Sequence, residues 1–188
     1  AAIGAALMGM RPVVEMQFMD FISNAFNMIT NFAATCHYRL GRTCPLVIRG
    51  PYGGGVGAGP FHSQCPEGYF AHCPGLKIIT PATVEDAYIM MRWAIRDPNP
   101  VIVLEHKGLY RRLKGSIDVH RSGGLTTASA PSPEEGSVLR RGSVLKDDDI
   151  VIVAYGAMVQ VALEVSDALR REGIGASVID CRRILPLD

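Results

Sequence analysis

Short apolar runs rich in Val and Ile recur at 13–18, 44–49, 76–80 and 100–105, each bounded by Pro, Gly or Asp. The stretches between them carry helical spacing. Runs of this length without polar alternation are buried on both faces, which is the mark of parallel strands covered by helices. This alternation limits the chain to an α/β fold with a mostly parallel sheet and helices on both faces.

The helical stretches can be placed from their own signals. Residues 1–10 read as the close of a small-residue helix ending near Gly9, with Arg11-Pro12 as the break. From Asp20, which can cap the start, Phe21, Ala25, Met28, Ile29, Phe32 and Ala33 fall at helical spacing. A short helix is expected over 62–73, with Pro66 in its first turn. Thr83 and Asp86 form a capping-box-like pair opening a helix to about Arg96, which buries Ala87, Met91, Ala94 and Ile95.

Residues 115–143 change composition to Ser, Gly, Pro, Thr and charge, and read as a linker holding a short hairpin. A second βαβ unit follows: strand 150–154, helix 159–171 ended by Gly173, and strand 176–180. The expected organisation is a first domain over 1–114, a linker over 115–148 and a truncated second α/β domain over 149–188. Neither end reads as a natural terminus, so a piece of a longer chain is expected.

Several function classes fall away. Lys plus Arg number 19 and Asp plus Glu 18, so no field for nucleic acid or an anionic membrane exists. No run of about 18 apolar residues is present, so no membrane helix is expected. The five cysteines lack C-x-x-C spacing and read as free thiols in a reducing compartment. Cys65, His72 and Cys73 are a conceivable zinc set. No G-x-S-x-G elbow is present, which argues against a serine hydrolase.

The chemistry concentrates after the second run. Six of the eleven residues from Gly50 to Pro60 are glycine. The loop lacks the Lys-Ser/Thr of a P-loop and the offset of a dinucleotide fingerprint, so close backbone approach explains it better than phosphate binding. His62 follows this loop, at the C-terminal edge of a parallel strand, where proton transfer or carboxylate contact is well placed. Phe18 and Phe21 stand at a strand-to-helix turn, either as core rings or as a stacking surface. His37, His72 and His106 read as structural.

Several motifs occur together, in order. They are Ala2-Ile3-Gly4-Ala5-Ala6 with Arg11-Pro12, Arg49-Gly50-Pro51, His62-Ser63-Gln64, His72-Cys73-Pro74-Gly75-Leu76-Lys77, Asp97-Pro98-Asn99-Pro100 and Arg182-Arg183-Ile184-Leu185-Pro186. The set resembles the β subunit of the thiamine-diphosphate-dependent, decarboxylating component of 2-oxo acid dehydrogenase complexes. Pro51-Tyr52-Gly53-Gly54-Gly55 and the stretch from Glu105 to Arg111 are more similar to the branched-chain enzymes than to the pyruvate ones.

The resemblance implies a pyrimidine-binding, transketolase-like domain that holds half of thiamine diphosphate. An α subunit in an α2β2 heterotetramer holds the diphosphate and Mg2+. It implies that Phe21 packs on the pyrimidine, and that His62 contacts the 2-oxo acid or assists acyl transfer to lipoamide. Leu46, Ala94, Asp97 and Asn99 match positions that give oxygens to a structural K+ in some members. A lipoyl acyltransferase core is the expected further partner, in bacterial cytoplasm or mitochondrial matrix.

The family's essential Glu is expected a few residues before Ala1. Glu15 does not replace it, so this fragment is expected to be inactive even with its α partner. The loop before His62 departs from the family pattern, which leaves substrate preference open. Pyruvate or acetoin enzymes, a transketolase-like enzyme or a non-catalytic scaffold are the alternatives.

Overall fold

The computed structural model describes residues 1–117, 137–139 and 149–187, the backbone alone for 137–139. Its first sheet has five strands, in the order β1 (Val13–Glu15), β2 (Val47–Tyr52), β4 (Val101–His106), β3 (Lys77–Ile79) and β8 (Arg183–Leu185). The first four are parallel, with Val13 beside Val47, Val47 beside Val101 and Lys77 beside Val101. β8 runs antiparallel to β3. The expected α/β class is therefore present.

Alternation along β2 and β4 sorts the side chains. Ile48, Tyr52, Ile102 and Leu104 face one core, against Met19, Ile22, Ile29 and Phe70. Val47, Val101 and Val103 face the other, with Ile79 and with Met90 and Ala94 of α4 (Val84–Arg96). Burying each such side chain is worth about 1.5–3 kcal/mol, so both faces are needed to hold the sheet.

A second sheet of three strands has the order β5 (Ser137–Leu139), β7 (Ala176–Asp180) and β6 (Ile150–Ala154), packed by α6 (Met158–Arg171). β6 and β7 are parallel and β5 is antiparallel to β7. β5 falls in the stretch read as a linker. Residues 118–136 and 140–148, where the rest of the expected hairpin falls, lie outside the described residues.

The two sheets share contacts. Thr80 N–H donates to Arg182 O at 2.8 Å, Arg182 pairs with Asp86, and Tyr155 donates to Glu67 at 2.7 Å. Gly156 packs so tightly that a Cβ there would stand 2.3 Å from the Tyr52 hydroxyl.

Four local expectations are corrected. The helix from Asp20 is instead a 3-10 stretch (Met19–Ala25), a widened helical turn (Met28–Ala33) and the short α2 (Cys36–Leu40). Thr30 and Thr35 hydroxyls bond back to the Phe26 and Asn31 carbonyls, competing with regular helix geometry. Asp20 is no cap, because tertiary contact draws it inward. The helix over 62–73 shrinks to a 3-10 turn (Pro60–His62) and α3 (Glu67–Phe70), because Pro60 and Pro66 lack N–H groups. On α4, Ala87 is exposed, whereas Met91 and Ile95 are half-buried against the core, and all three line a cavity of about 530 Å³. The zinc set also fails: among the described residues no three His, Cys, Asp or Glu side chains are placed to hold a metal. The Thr83 cap does form, accepting from Asp86 N–H at 3.0 Å.

Candidate functional site

The C-terminal ends of β1, β2 and β4 lie side by side, and the loops leaving them converge. This is where open α/β sheets bind ligands. After β1 the chain turns at once, carrying Phe18 and Phe21 over the edge. β2 must leave room for that turn. A Cβ on Gly50 would stand 2.3 Å from the Met16 carbonyl oxygen, so only glycine fits.

His62 lies between the two aromatics. The ring centroids of Phe18 and His62 are 5.0 Å apart and those of Phe21 and His62 are 5.6 Å apart, both edge to face. Phe21 remains 42% exposed, which leaves ring surface open to a flat heterocycle. The two residues that the sequence singled out for the cofactor and for catalysis are therefore neighbours at one rim.

The segment carrying His62 is tied down from three directions. Gln64 N–H donates to Asp20 Oδ1 at 2.8 Å, and Gly53 N–H donates to Gln64 O at 2.9 Å. The Lys107 ammonium donates to the His62 carbonyl and stands 4.8 Å from the Phe18 ring centroid. Asp20 is 8% exposed, and its Oδ2 is buried without a hydrogen-bond partner among the described residues. Site contacts by Asp20 and Lys107 were not read from the sequence. Asp20 carries the signal of a helix cap, and nothing near Lys107 in the chain points to His62.

Beside Lys107, the His106 ring lies against Tyr52, 5.4 Å between centroids, and accepts from Gly108 N–H at 3.2 Å. Burial, and then Lys107 and Arg112, hold its pKa below the ordinary value, so the neutral ring is favoured.

On the opposite face of the same strand ends, Arg49 Nε donates to Glu105 at 2.7 Å and its Nη1 pairs with Glu15. Tyr110 adds a hydroxyl donor to Glu105 at 2.6 Å. Burial and the bond to Glu105 push the Tyr110 pKa up. This closed cluster lines the cavity beneath α4.

Leu46, Ala94, Asp97 and Asn99 meet where α4 ends beside the start of β2. Leu46 O accepts from Val101 N–H at 2.9 Å, and Cys44 N–H donates to Pro98 O at 3.0 Å. Two protein cations already stand there. Lys77 pairs with Asp97 Oδ2, and Arg11 donates to the Ile95 and Asp97 carbonyls at 2.8 and 3.2 Å. Asp97 Oδ1 accepts from Asn99 N–H at 2.9 Å. The Asp97 carboxylate is thus already engaged and does not fit as a K+ ligand. The carbonyls of Leu46, Ala94 and Asp97 each keep a second lone pair.

Comparison with known proteins identifies the family. The model of the transketolase pyrimidine-binding domain matches residues 1–112, and that of the transketolase C-terminal domain matches residues 142–188. The chain is 42% identical over 189 residues to the 2-oxoisovalerate dehydrogenase subunit beta of Bacillus subtilis (strain 168), covering 99% of this chain and 54% of that protein. It is 40% identical over 190 residues to the mitochondrial pyruvate dehydrogenase E1 component subunit beta-2 of Oryza sativa subsp. japonica, covering 100% and 48%. A solved split-gene transketolase, an inactive β4 tetramer, superposes with a TM-score of 0.72 at 24% identity, covering 100% of this chain and 54% of that one. The chain spans about half the length of the curated relatives it matches. It belongs to the transketolase pyrimidine-binding domain family and is similar, from end to end, to β subunits of 2-oxo acid dehydrogenases.

Proposed function

We propose that this chain supplies the pyrimidine-binding half of a thiamine-diphosphate site in a 2-oxo acid dehydrogenase, as part of its β subunit. The observation that carries the reading is the exposed Phe21 ring, edge to face with His62 at the C-terminal ends of parallel strands. Thiamine diphosphate, when bound, supplies the electron sink for loss of CO2 from a 2-oxo acid.

The residues of this chain do the rest. Phe21 packs on the pyrimidine. His62 contacts the substrate carboxylate or moves a proton during acyl transfer to lipoamide, work worth about 10²–10⁴-fold in rate. The α subunit, in an α2β2 heterotetramer, holds the diphosphate and its Mg2+. A lipoyl acyltransferase core takes the acyl group, in bacterial cytoplasm or mitochondrial matrix. The first domain spans 1–114, with a linker over 115–148 and the start of a C-terminal domain over 149–188.

A structural K+ belongs on the carbonyls of Leu46, Ala94 and Asp97, with the Asn99 backbone closing the ring. Unfolding in KCl against NaCl tests it. A Tm higher in KCl supports the site, and equal Tm values remove it.

The preferred substrate class is branched 2-oxo acids, on the strength of the stretches 51–55 and 105–111. The experiment is reconstitution of the full-length β subunit that contains this chain, upstream Glu included, with its α partner, and comparison of 3-methyl-2-oxobutanoate with pyruvate and acetoin. A strong preference for pyruvate or acetoin overturns the substrate class. No cofactor-dependent turnover of any of them, from a folded assembly, overturns the enzyme reading in favour of a scaffold.

A further inference from the structure

The glycine-rich loop leaves the sheet at Gly53 and returns at Gln64, where Gly53 N–H donates to Gln64 O at 2.9 Å. Its ends therefore meet, as in an Ω-loop. The tip is open to solvent, with Val56 and Phe61 exposed. Nothing in the local sequence says how such a loop delivers His62 to a fixed place.

The turn after β4 grips the neck of this loop at both ends. At the near end, Gly53 has φ +82, and a Cβ there would stand 2.4 Å from the His106 ring. Lys107 N–H donates to the Tyr52 carbonyl at 3.2 Å, which fixes the turn against β2. At the far end, the Lys107 ammonium reaches the His62 carbonyl. The Phe18 ring lies under that same ammonium, and it meets the His62 ring edge to face. One charge thus touches the backbone of His62 and the aromatic that orients its imidazole. A charge-assisted bond is about twice as strong as a neutral one, and the ring on one side shields it from water.

We propose that Lys107 is a positioning residue for His62: it clamps the neck of the glycine loop, so that the imidazole stands at the rim beside Phe21. This rests on the reading of His62 as the group that meets substrate. The ammonium itself need not touch substrate or cofactor. It acts through the backbone and through Phe18, so its loss displaces His62 without emptying the pyrimidine surface.

The test uses the full-length β subunit that contains this chain, reconstituted with its α partner. Lys107→Met and Lys107→Gln are each checked for a wild-type unfolding profile. A misplacement of about 1 Å at a reacting group can cost up to about 100-fold, so about a 10-fold fall in kcat is expected for both. KM for the 2-oxo acid changes less than kcat, because Phe21 and the rest of the rim stay in place while only the imidazole is displaced. Lys107→Arg keeps the charge and returns kcat to within about threefold of wild type. In a His62→Ala background, Lys107→Met changes kcat by less than about twofold, because there is no imidazole left to place.

Two results overturn the proposal while leaving the reading of His62 intact. One is a dead His62→Ala beside a Lys107→Met of wild-type rate. The other is a 10-fold loss from Lys107→Met that persists in the His62→Ala background. A fully active His62→Ala condemns the reading of His62 itself, and the positioning role with it.

Discussion

The two faces of one sheet end carry opposite chemistry. On the α4 side, Arg49 is flanked by Glu15 and Glu105, Tyr110 closes the cluster, and a cavity of about 530 Å³ opens beside it. On the other side Phe21 is exposed, His62 is held between aromatics, and Asp20 Oδ2 is buried without a hydrogen-bond partner among the described residues. Both faces sit on β1, β2 and β4. Volume marks the first, and available chemistry marks the second. Charges that satisfy one another stabilise a fold, whereas a half-open ring beside an imidazole is ready for a ligand. On the proposed reading, the function belongs to the Phe21–His62 face.

The sharpest way to break this contrast is His62→Ala in the full assembly. About a 100-fold or greater fall in kcat/KM is expected, read from steady-state decarboxylation. Phe21→Ala should weaken cofactor binding by about 10-fold in a titration of the assembly, through lost ring contact. On the α4 side, Arg49→Met should instead cost stability. It strands Glu15 and the largely buried Glu105, and a loss of about 2 kcal/mol is expected in denaturant unfolding, reduced from the deep-interior figure because Arg49 is partly exposed. Full activity in a folded His62→Ala, or an unchanged midpoint in Arg49→Met, would erase the distinction.

A third region sharpens the picture through pH. Asp180 is fully buried, and burial raises its pKa to about 6, with Asp86 raising it further and the Arg182 N–H and guanidinium opposing. The folded state therefore holds a proton that the unfolded chain releases near pH 4. Stability from this group is present below pH 4 and lost as pH rises through 6, by about 3 kcal/mol. Asp180→Asn keeps an acceptor for the Arg182 N–H and removes the titration. Its stability relative to wild type should therefore climb between pH 4 and 7 in thermal unfolding. A flat difference would contradict the assignment. The smallest effect is expected for Ala87→Leu, which fills space in the α4 cavity and should change stability by less than about 1 kcal/mol without altering turnover.

Much of this was legible in the chain itself. The strands at 47–52, 77–79 and 101–106 fall inside or beside the apolar runs that announce them, because burial on both faces leaves no polar positions to confuse the period. The helix Val84–Arg96 follows from its Thr83 cap. The segment after β1 was not legible. Its apolar spacing is helical, yet Asp20 is drawn to the Gln64 N–H and the two Phe rings turn to His62, so tertiary contacts outweigh regular helix geometry. Pairing of β8 with β3 was equally hidden, since register between distant strands leaves no local mark. Within the site, His62 and Phe21 carry a residue type that suits chemistry. Lys107 is an ordinary surface cation until the fold brings it to a loop 45 positions away.

The central claim is that the Phe21–His62 rim, and not the cavity beneath α4, receives the heterocycle. A crystal structure of the full-length β subunit that contains this chain, with its α partner and thiamine diphosphate, tests it most directly. The account predicts the pyrimidine ring in van der Waals contact with Phe21, with His62 facing the reacting end of the cofactor. A pyrimidine found beneath α4, against Arg49 and Tyr110, would contradict it.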